Sequence, residues 1–241
     1  MDDITVVIVE YHSAGQLGRA LASLRPAMAG LSWNVVIVSN SQYDEPERSA
    51  MRRRFADVEW IFDDENVGFG RAVNQAIAHS ASSFLLLLNP DAQILAGRVS
   101  ELVEFLRRRP DVAAAGPRLV GEDGCLEDSA RRFLTPFSAA LRSARRLAQA
   151  SARPITEHTG TREPVEVDWV SGACMMARRD AIDAAGPLDP FYFMYVEDMD
   201  WCKRFWDAGL SVIYWPALTV EHSGARHSAR GMWERQSRRF A

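Results

Sequence analysis

The segment Asn89-Pro90-Asp91 supplies an amide and a carboxylate directly after an unbroken apolar run. The four leucines at residues 85–88 predict a strand that is buried on both faces. Pro90 fixes its own φ and lacks the N–H that would continue a ladder. Ligands of open α/β sheets bind outside the carboxyl ends of the strands, where Asp91 can hold a metal ion against a phosphate. A purely structural turn remains the alternative for these three residues.

A second group of carboxylates follows an aromatic-rich stretch, in residues 197–200, which read Glu-Asp-Met-Asp. On a helix that begins there, Asp198 shares a face with Cys202 and Phe205. Asp200 lies ~200° round the helix from Asp198, so the two carboxylates do not face each other. This geometry disfavours the paired carboxylates of a glycosidase and favours a single general base, Asp198, beside aromatic walls. A cluster of acids that caps the helix is the structural alternative.

The elements that would hold these groups follow a strand–helix–strand order in the first half of the chain. Such an order predicts a Rossmann-like α/β arrangement. If the sheet is parallel, the polar residues that follow three of its strands, at Tyr11, Ser39 and Asp91, share one edge and form one pocket. The segments that predict these strands lie at residues 4–9, 35–38, 58–62 and 85–88.

Small residues at every fourth position, Gly68, Ala72 and Ala76, predict a helix that lies close to the sheet. Arg71, near the N-terminus of this helix, adds a positive charge to backbone N–H groups that already favour a phosphate. The alternative is a tightly packed core helix that carries a solvated arginine.

Composition limits the class of protein. The chain has 241 residues, 47% of them hydrophobic, which is enough for one large domain. Its three cysteines lack metal-type spacing and predict reduced thiols in a cytoplasmic protein. The net charge of −4 gives no reason to expect a nucleic acid partner.

Two arginine-rich segments predict docking on an anionic membrane surface. In residues 137–149 an apolar helical face can form, while Arg142, Arg145 and Arg146 lie elsewhere on the helix. The tail from Arg226 repeats this pattern. Basic amphipathic segments lie in the plane of the interface. The alternative is a pair of ordinary surface helices that pack on the domain.

Taken in order, six motifs resemble the inverting family-2 glycosyltransferases of GT-A fold, especially their rhamnosyltransferase-like branch. The motifs cover nearly the whole chain. They are Glu65-Asn66-Val67-Gly68-Phe69 with Asn74, Leu88-Asn89-Pro90-Asp91, Ser129-Ala130-Arg131-Arg132-Phe133, Trp169-Val170-Ser171-Gly172-Ala173, Phe193-Met194-Tyr195 with Glu197-Asp198-Met199-Asp200, and Glu221-His222.

The resemblance implies a single GT-A domain over residues 1–241, of α/β class with a mixed central sheet. Residues 1–120 would form the Rossmann-like half that binds the nucleotide sugar. Residues 121–241 would form the half that binds the acceptor and carries the catalytic base.

The same resemblance implies roles for individual residues. Asp91 would bind Mg²⁺ or Mn²⁺ against the donor diphosphate, His222 would complete the metal site, and Asp198 would be the catalytic base. The expected donor-binding residues are Tyr11, Ser39, Asn66, Gly68, Arg71, Asn89 and Asp91. The expected acceptor-binding residues are Trp169, Gly172, Ala173 and Asp200.

The function implied is transfer of a deoxyhexose such as rhamnose, for example from dTDP-rhamnose, to a lipid-linked or cell-envelope glycan at the inner face of the plasma membrane. Two alternatives remain. A sugar nucleotidyltransferase would need a glycine-rich, basic N-terminal loop, which the sequence lacks. A non-catalytic glycan-binding relative is supported only by departures from the family pattern, which usually has Thr-Tyr-Asn where this chain has Glu10-Tyr11-His12, and Asp where it has Ser39.

Overall fold

The computed structural model describes residues 3–127, 129–133 and 161–223, and within them nine strands form one central mixed sheet. Two short strands, β7 and β9, pair separately. The strands are β1 (Ile4–Glu10), β2 (Trp33–Ser39), β3 (Glu59–Phe62), β4 (Phe84–Leu88), β5 (Ala92–Ala96), β6 (Val112–Val120), β7 (Ala130–Arg131), β8 (Val165–Val167), β9 (Trp169–Val170), β10 (Cys174–Arg178) and β11 (Ser211–His222). The helices are α1 (Ala14–Ala27), α2 (Glu45–Arg54), α3 (Phe69–His79), α4 (Val99–Arg108), α5 (Arg179–Ala185) and α6 (Glu197–Asp207).

The sheet has the order β3-β2-β1-β4-β10-β6-β11-β5, and β8 pairs with β11. Strands β3, β2, β1 and β4 run parallel. Strand β10 is antiparallel to β4 and β6, whereas β11 is parallel to β6. The carboxyl ends of β1, β2 and β4 therefore share one edge, as the apolar runs predict. The later strands β10 and β11 lie in this same sheet, beside the edge that carries Asp91.

Apolar side chains cover the sheet on both faces. All of β4 is buried, as its unbroken leucine run predicts. One face packs on α1 and α4 through residues such as Leu17 and Leu102. The other packs on α3, α5 and α6 through residues such as Val73, Ile182 and Phe205. This double cover explains why the central strands lack polar alternation.

The main differences from the predicted elements have local causes. Helix α2 is not predicted from the sequence. All of its residues are at least partly exposed, so it has no apolar periodicity to indicate a helix. Asp44 starts it instead, through a capping box with Glu47. The chain around the Trp169–Ala173 motif forms three short strands, β8, β9 and β10. Near the end of the described residues, β11 runs continuously from Ser211 to His222, and its register against β6 shifts between Trp215 and Thr219.

Among the helices in the described part of the chain, none has the length and apolarity needed to cross a bilayer. The arginine-rich segments at residues 137–149 and from residue 226 onward lie outside the described residues.

Candidate active site

The turns after β1 and β2 are joined by a buried carboxylate, that of Glu10, which is 0% exposed. It accepts hydrogen bonds from the hydroxyls of Ser39 (2.7 Å), Ser41 (2.8 Å) and Tyr43 (3.3 Å), and from the backbone N–H of Ser13 (2.7 Å). These four donors satisfy both oxygens of the buried carboxyl group and offset the cost of its burial. The hydroxyl of Ser39, a residue expected to bind the donor, is therefore engaged by Glu10.

Tyr11 and His12 lie in the turn after β1 and are exposed. His12 has a φ of 52°, and its N–H donates to the Ser41 hydroxyl at 2.7 Å. The ring centroids of Tyr11 and His12 are 4.4 Å apart, and Tyr11 remains 46% exposed. The turn thus presents an aromatic surface at the sheet edge, where a nucleobase can stack.

The N-terminus of α3 contacts the segment that precedes α6. Gly68 has a φ of +88°, and a Cβ there would lie 2.5 Å from the carbonyl oxygen of Phe193, so both backbone conformation and space require glycine. The same oxygen accepts from the N–H of Phe69 at 2.9 Å. Asn66 accepts from the N–H of Gly68 at 3.0 Å and shapes the turn before the helix. Part of this helix N-terminus is therefore already hydrogen-bonded to the protein.

Helix α3 also anchors residues 188–190. Asn74 donates to the carbonyl oxygen of Leu188 (2.7 Å) and accepts from its N–H (2.9 Å). The exposed Arg71 donates to the carbonyl oxygen of Pro190 at 3.3 Å. Arg71 thus contacts the segment leading to α6, and its assignment to the donor diphosphate stays a prediction.

Asp91 and His222 meet where β4 and β11 end. The distance between Asp91 Oδ1 and His222 Nε2 is 3.6 Å, and Asn89 Nδ2 lies 3.2 Å from the same nitrogen. On the other side of the ring, His222 Nδ1 lies 3.3 Å from Glu127 Oε2. Burial lowers the pKa of His222, but Glu127 and Asp91 outweigh burial and leave this pKa raised. Sequence reasoning did not identify Glu127, which is distant from His222 along the chain.

This donor set is compatible with a hard divalent cation. Within the described ranges, no group of three or more His, Cys, Asp or Glu side chains is arranged to hold a metal ion. Asp91 and His222 provide two adjacent ligand atoms. Mg²⁺ typically takes one or two carboxylates from the protein and fills its remaining positions with substrate phosphates and water. Two protein ligands at a strand end therefore fit a metal that binds together with a diphosphate.

Hydrogen bonds from backbone N–H groups connect the corner of the sheet formed by Asn89, Asp91 and His222 to Asp198. The N–H of Asn89 donates to the carbonyl oxygen of Ala173 at 2.9 Å, and the N–H of Gly172 donates to Asp198 Oδ2 at 2.9 Å. A Cβ on Gly172 would lie 3.4 Å from the Cβ of Asp198, so glycine allows the close approach. The fold thus joins the Asn89–Asp91 turn to the start of α6.

Asp198 is a carboxylate of perturbed acidity. Burial raises its pKa, which the N–H groups of Gly172 and Met199 and the charge of Arg131 partly counteract. A raised pKa within a site suits a general base, because proton transfer is efficient when the pKa of the base is near the working pH.

The neighbouring Glu197 is only 6% exposed. Burial and the charge of Asp198 raise its pKa to about 7. Its Oε2 atom has no hydrogen-bond partner within the described part of the chain. In the first turn of α6, the charge of Asp198 therefore disfavours ionisation of Glu197. The sequence pattern gave no signal for the burial of Glu197.

Two of the remaining expected acceptor residues, Trp169 and Asp200, have arginine partners. Trp169 is partly exposed, and the guanidinium of Arg131 lies 5.1 Å from its ring centroid. Asp200 pairs with Arg204, one turn further along α6, at 2.9 Å. Arg204 in turn donates to the carbonyl oxygen of Ala185 at 2.8 Å. The structure therefore separates Asp200 from Asp198, as helical spacing predicts.

The mixed sheet has the architecture of GT-A glycosyltransferases, which two solved structures share. These are GalNAc-T7 with UDP, GalNAc and Mn²⁺ (TM-score 0.66, 16% identity) and a mannosyltransferase from Pyrobaculum calidifontis with GDP-Man and Mn²⁺ (TM-score 0.59, 16% identity). Each match covers 92% of this chain, but only 44% and 57% of the respective solved chains. At this identity the likeness establishes the fold.

Residues 5–186 match the model of Glycosyl transferase family 2, and the chain belongs to this family. It is also 30% identical to an N-acetylglucosaminyl-diphospho-decaprenol L-rhamnosyltransferase of Mycobacterium tuberculosis. That alignment covers 95% of this chain and 78% of the relative. The protein is therefore a nucleotide-sugar-dependent glycosyltransferase of the inverting type.

Proposed function

We propose that this enzyme transfers a deoxyhexose such as L-rhamnose from a nucleotide diphosphate to a lipid-linked or cell-envelope glycan. The observation that carries the proposal is the hydrogen-bonded connection between two corners of one sheet edge. At one corner Asp91 and His222 present ligand atoms 3.6 Å apart. At the other, Asp198 lies at the start of α6, held by Gly172. The name of the mycobacterial relative supports the choice of sugar and of acceptor.

On the donor side, Tyr11 supplies the surface on which the nucleobase stacks. Ser39 and Asn66 shape the pocket through the hydrogen bonds that they make to Glu10 and Gly68, and Arg71 and Asn89 complete it.

Asp91 and His222 would hold Mg²⁺ or Mn²⁺, which supplies positive charge to the departing diphosphate when it is bound. Support for a divalent metal comes from the two Mn²⁺-containing GT-A structures.

On the acceptor side, Asp198 removes the proton from the attacking hydroxyl. The hydroxyl oxygen then forms its bond to the anomeric carbon as the bond to the diphosphate breaks, and one such displacement inverts the configuration. Gly172, which donates to Asp198, forms the acceptor side of the site together with Trp169, Ala173 and Asp200. In the two-half division proposed at residue 120, they all belong to the second half.

Transfer to a synthetic N-acetylglucosaminyl diphosphate polyprenol tests the proposal. A panel of nucleotide sugars is first screened for Mn²⁺-dependent thermal stabilisation, because a bound donor raises apparent stability. We expect dTDP-rhamnose to stabilise the protein and to yield a product whose anomeric configuration is opposite to that of the donor, as read by NMR. Retention of configuration would contradict the mechanism. Turnover only with hexoses that are not deoxygenated would contradict the choice of sugar.

An acceptor anchored in a bilayer requires the enzyme to act at a membrane surface, and we propose that this is the cytoplasmic face. The arginines of residues 137–149 and of the tail from Arg226 support this location. We expect co-sedimentation with anionic liposomes that decreases as salt rises and on replacement of Arg142, Arg145 and Arg146 by glutamine. Neutral liposomes are the control. Binding that is equal on both liposomes, or unchanged in the triple variant, would contradict electrostatic docking through this segment.

A further inference from the structure

His222 is held on both of its ring nitrogens by separate parts of the fold. Nδ1 faces Glu127 Oε2 at 3.3 Å, whereas Nε2 faces Asn89 Nδ2 at 3.2 Å and Asp91 Oδ1 at 3.6 Å. The side chains of His222, Glu127 and Asp91 are 14%, 18% and 16% exposed, so water competes only weakly for these contacts. The ring therefore has one orientation that satisfies both sides.

These contacts select a tautomer of the neutral ring. A carboxylate accepts hydrogen bonds, so Glu127 places the ring proton on Nδ1. The amide nitrogen of Asn89 donates, which requires a lone pair on Nε2. The nitrogen that faces Asp91 is thus the one able to bind a cation. Carboxylates that accept from the distal nitrogen of a metal-binding histidine fix its tautomer and orientation and increase its basicity.

Glu127 is itself fixed by backbone pairing. Its N–H donates to the carbonyl oxygen of Leu119 at 3.0 Å, and Leu126 forms a bridge with Val120. The chain after β6 therefore folds back on the end of β6. Strand β6 also pairs with β11, with Val120 opposite Glu221, the residue before His222. The register of two neighbouring strands thus brings Glu127 to His222, although 95 positions separate them.

We propose that Glu127 is a positioning residue that holds the His222 ring with Nε2 directed at Asp91, so that both residues can bind one divalent cation. The inference rests on the proposed function, which assigns a metal to Asp91 and His222, and it adds the residue that orients one ligand. Glu127 touches neither the metal nor the reacting atoms.

The affinity for Mn²⁺ in the presence of dTDP tests the role of Glu127 without requiring turnover. Electron paramagnetic resonance measures this affinity through the signal of free Mn²⁺. We expect Glu127→Ala to weaken Mn²⁺ binding ~10–100-fold, the usual effect of losing such a partner. Glu127→Gln should bind within a few-fold of wild type, because its carbonyl oxygen still accepts from Nδ1–H. Glu122→Ala is the matched control, since it removes a carboxylate from the same cavity, of about 260 Å³, beside His222.

The outcomes separate the two proposals. Mn²⁺ affinity of wild-type strength in Glu127→Ala would overturn the role of Glu127 alone. An equal loss in Glu122→Ala or in Glu127→Gln would also overturn it, because net charge and not ring orientation would then be responsible. Wild-type protein that binds no Mn²⁺ with dTDP would overturn the metal assignment of the proposed function and the role of Glu127 with it.

The tautomer of His222 gives a second measurement, on metal-free wild-type protein, that remains informative if Glu127→Ala does not fold. Imidazole ¹⁵N shifts are recorded at a pH where the ring is neutral, and the signal is assigned by its absence in His222→Gln. We expect the proton on Nδ1 and a lone pair on Nε2. A proton on Nε2 would contradict the proposed orientation.

Discussion

Replacing Asp198 with asparagine is expected to lower sugar transfer by more than the ~10²–10⁴-fold that proton transfer usually contributes, because the amide can neither accept the proton nor supply the charge. Donor binding should persist, because the Asp198 side chain accepts from the N–H groups of Gly172 and Met199, and neither is an expected donor residue. Single-turnover transfer measures the first effect, and calorimetric titration with a nucleoside diphosphate and Mn²⁺ measures the second.

Asp200→Asn is the matched control, because it makes the same change two positions along α6, at a carboxylate paired with Arg204. Because Asp200 is assigned to the acceptor side, its replacement is expected to raise the KM for the acceptor, whereas the single-turnover rate at saturating acceptor should stay far above that of Asp198→Asn. Asp198 accepts from backbone N–H groups on both oxygens, so asparagine must lose one of these bonds. Thermal unfolding of both variants therefore accompanies the kinetics. A crippled Asp200→Asn beside an active Asp198→Asn would show that the roles are reversed.

The same assignment has a pH dependence. Asp198 is a base only when ionised, and burial raises its pKa above the ordinary value for Asp. Transfer should therefore rise with pH through this raised pKa and fall on the acid side sooner than for a solvated carboxylate. Glu197, with a pKa of about 7, adds repulsion as it ionises.

Replacing Asp91 with alanine is expected to abolish the part of nucleotide binding that depends on the divalent metal. Asp91 and His222 are the two residues assigned to the metal, so the variant keeps only the imidazole of His222 as a ligand. The fold should stay intact, because among the described residues the polar contact of the Asp91 side chain is the 3.6 Å approach to His222. The backbone oxygen of Asp91, which accepts from Ser223 at 3.2 Å, is unaffected.

Titration of wild type and Asp91→Ala with dTDP, each with and without Mn²⁺, gives the measurement and its own control. The metal-independent affinity should be equal in the two proteins, and the gain on adding Mn²⁺ should be present only in wild type. Glu122→Ala, which changes charge near His222, should keep the gain. An undiminished gain in Asp91→Ala would reject the metal assignment.

Much of this arrangement follows from the order of residues along the chain. Unbroken apolar runs predict buried strands, because a strand covered on both faces has no polar alternation. The end of the leucine run places Asp91 at a strand terminus, and the structure confirms that β1, β2 and β4 end at one edge. Helical geometry also separates Asp198 from Asp200, which the Asp200–Arg204 pair confirms. These features depend on a period or a boundary within a few residues.

Other features depend on which distant side chain a polar group meets. Glu10 and Ser39, two departures from the family pattern, are hydrogen-bonded partners in one buried network. Arg71, near the start of α3, contacts Pro190. Neither partner has a signature in the local sequence.

The physical reason is that the period of a strand or helix fixes the direction of a side chain but not its partner. Asn89 and His222 are 133 positions apart, and the pairing of β4, β10, β6 and β11 brings their ends together. Glu127 reaches the same ring because the chain folds back after β6. Burial, ring tautomer and carboxylate acidity depend on these long-range contacts, so they follow from the tertiary structure.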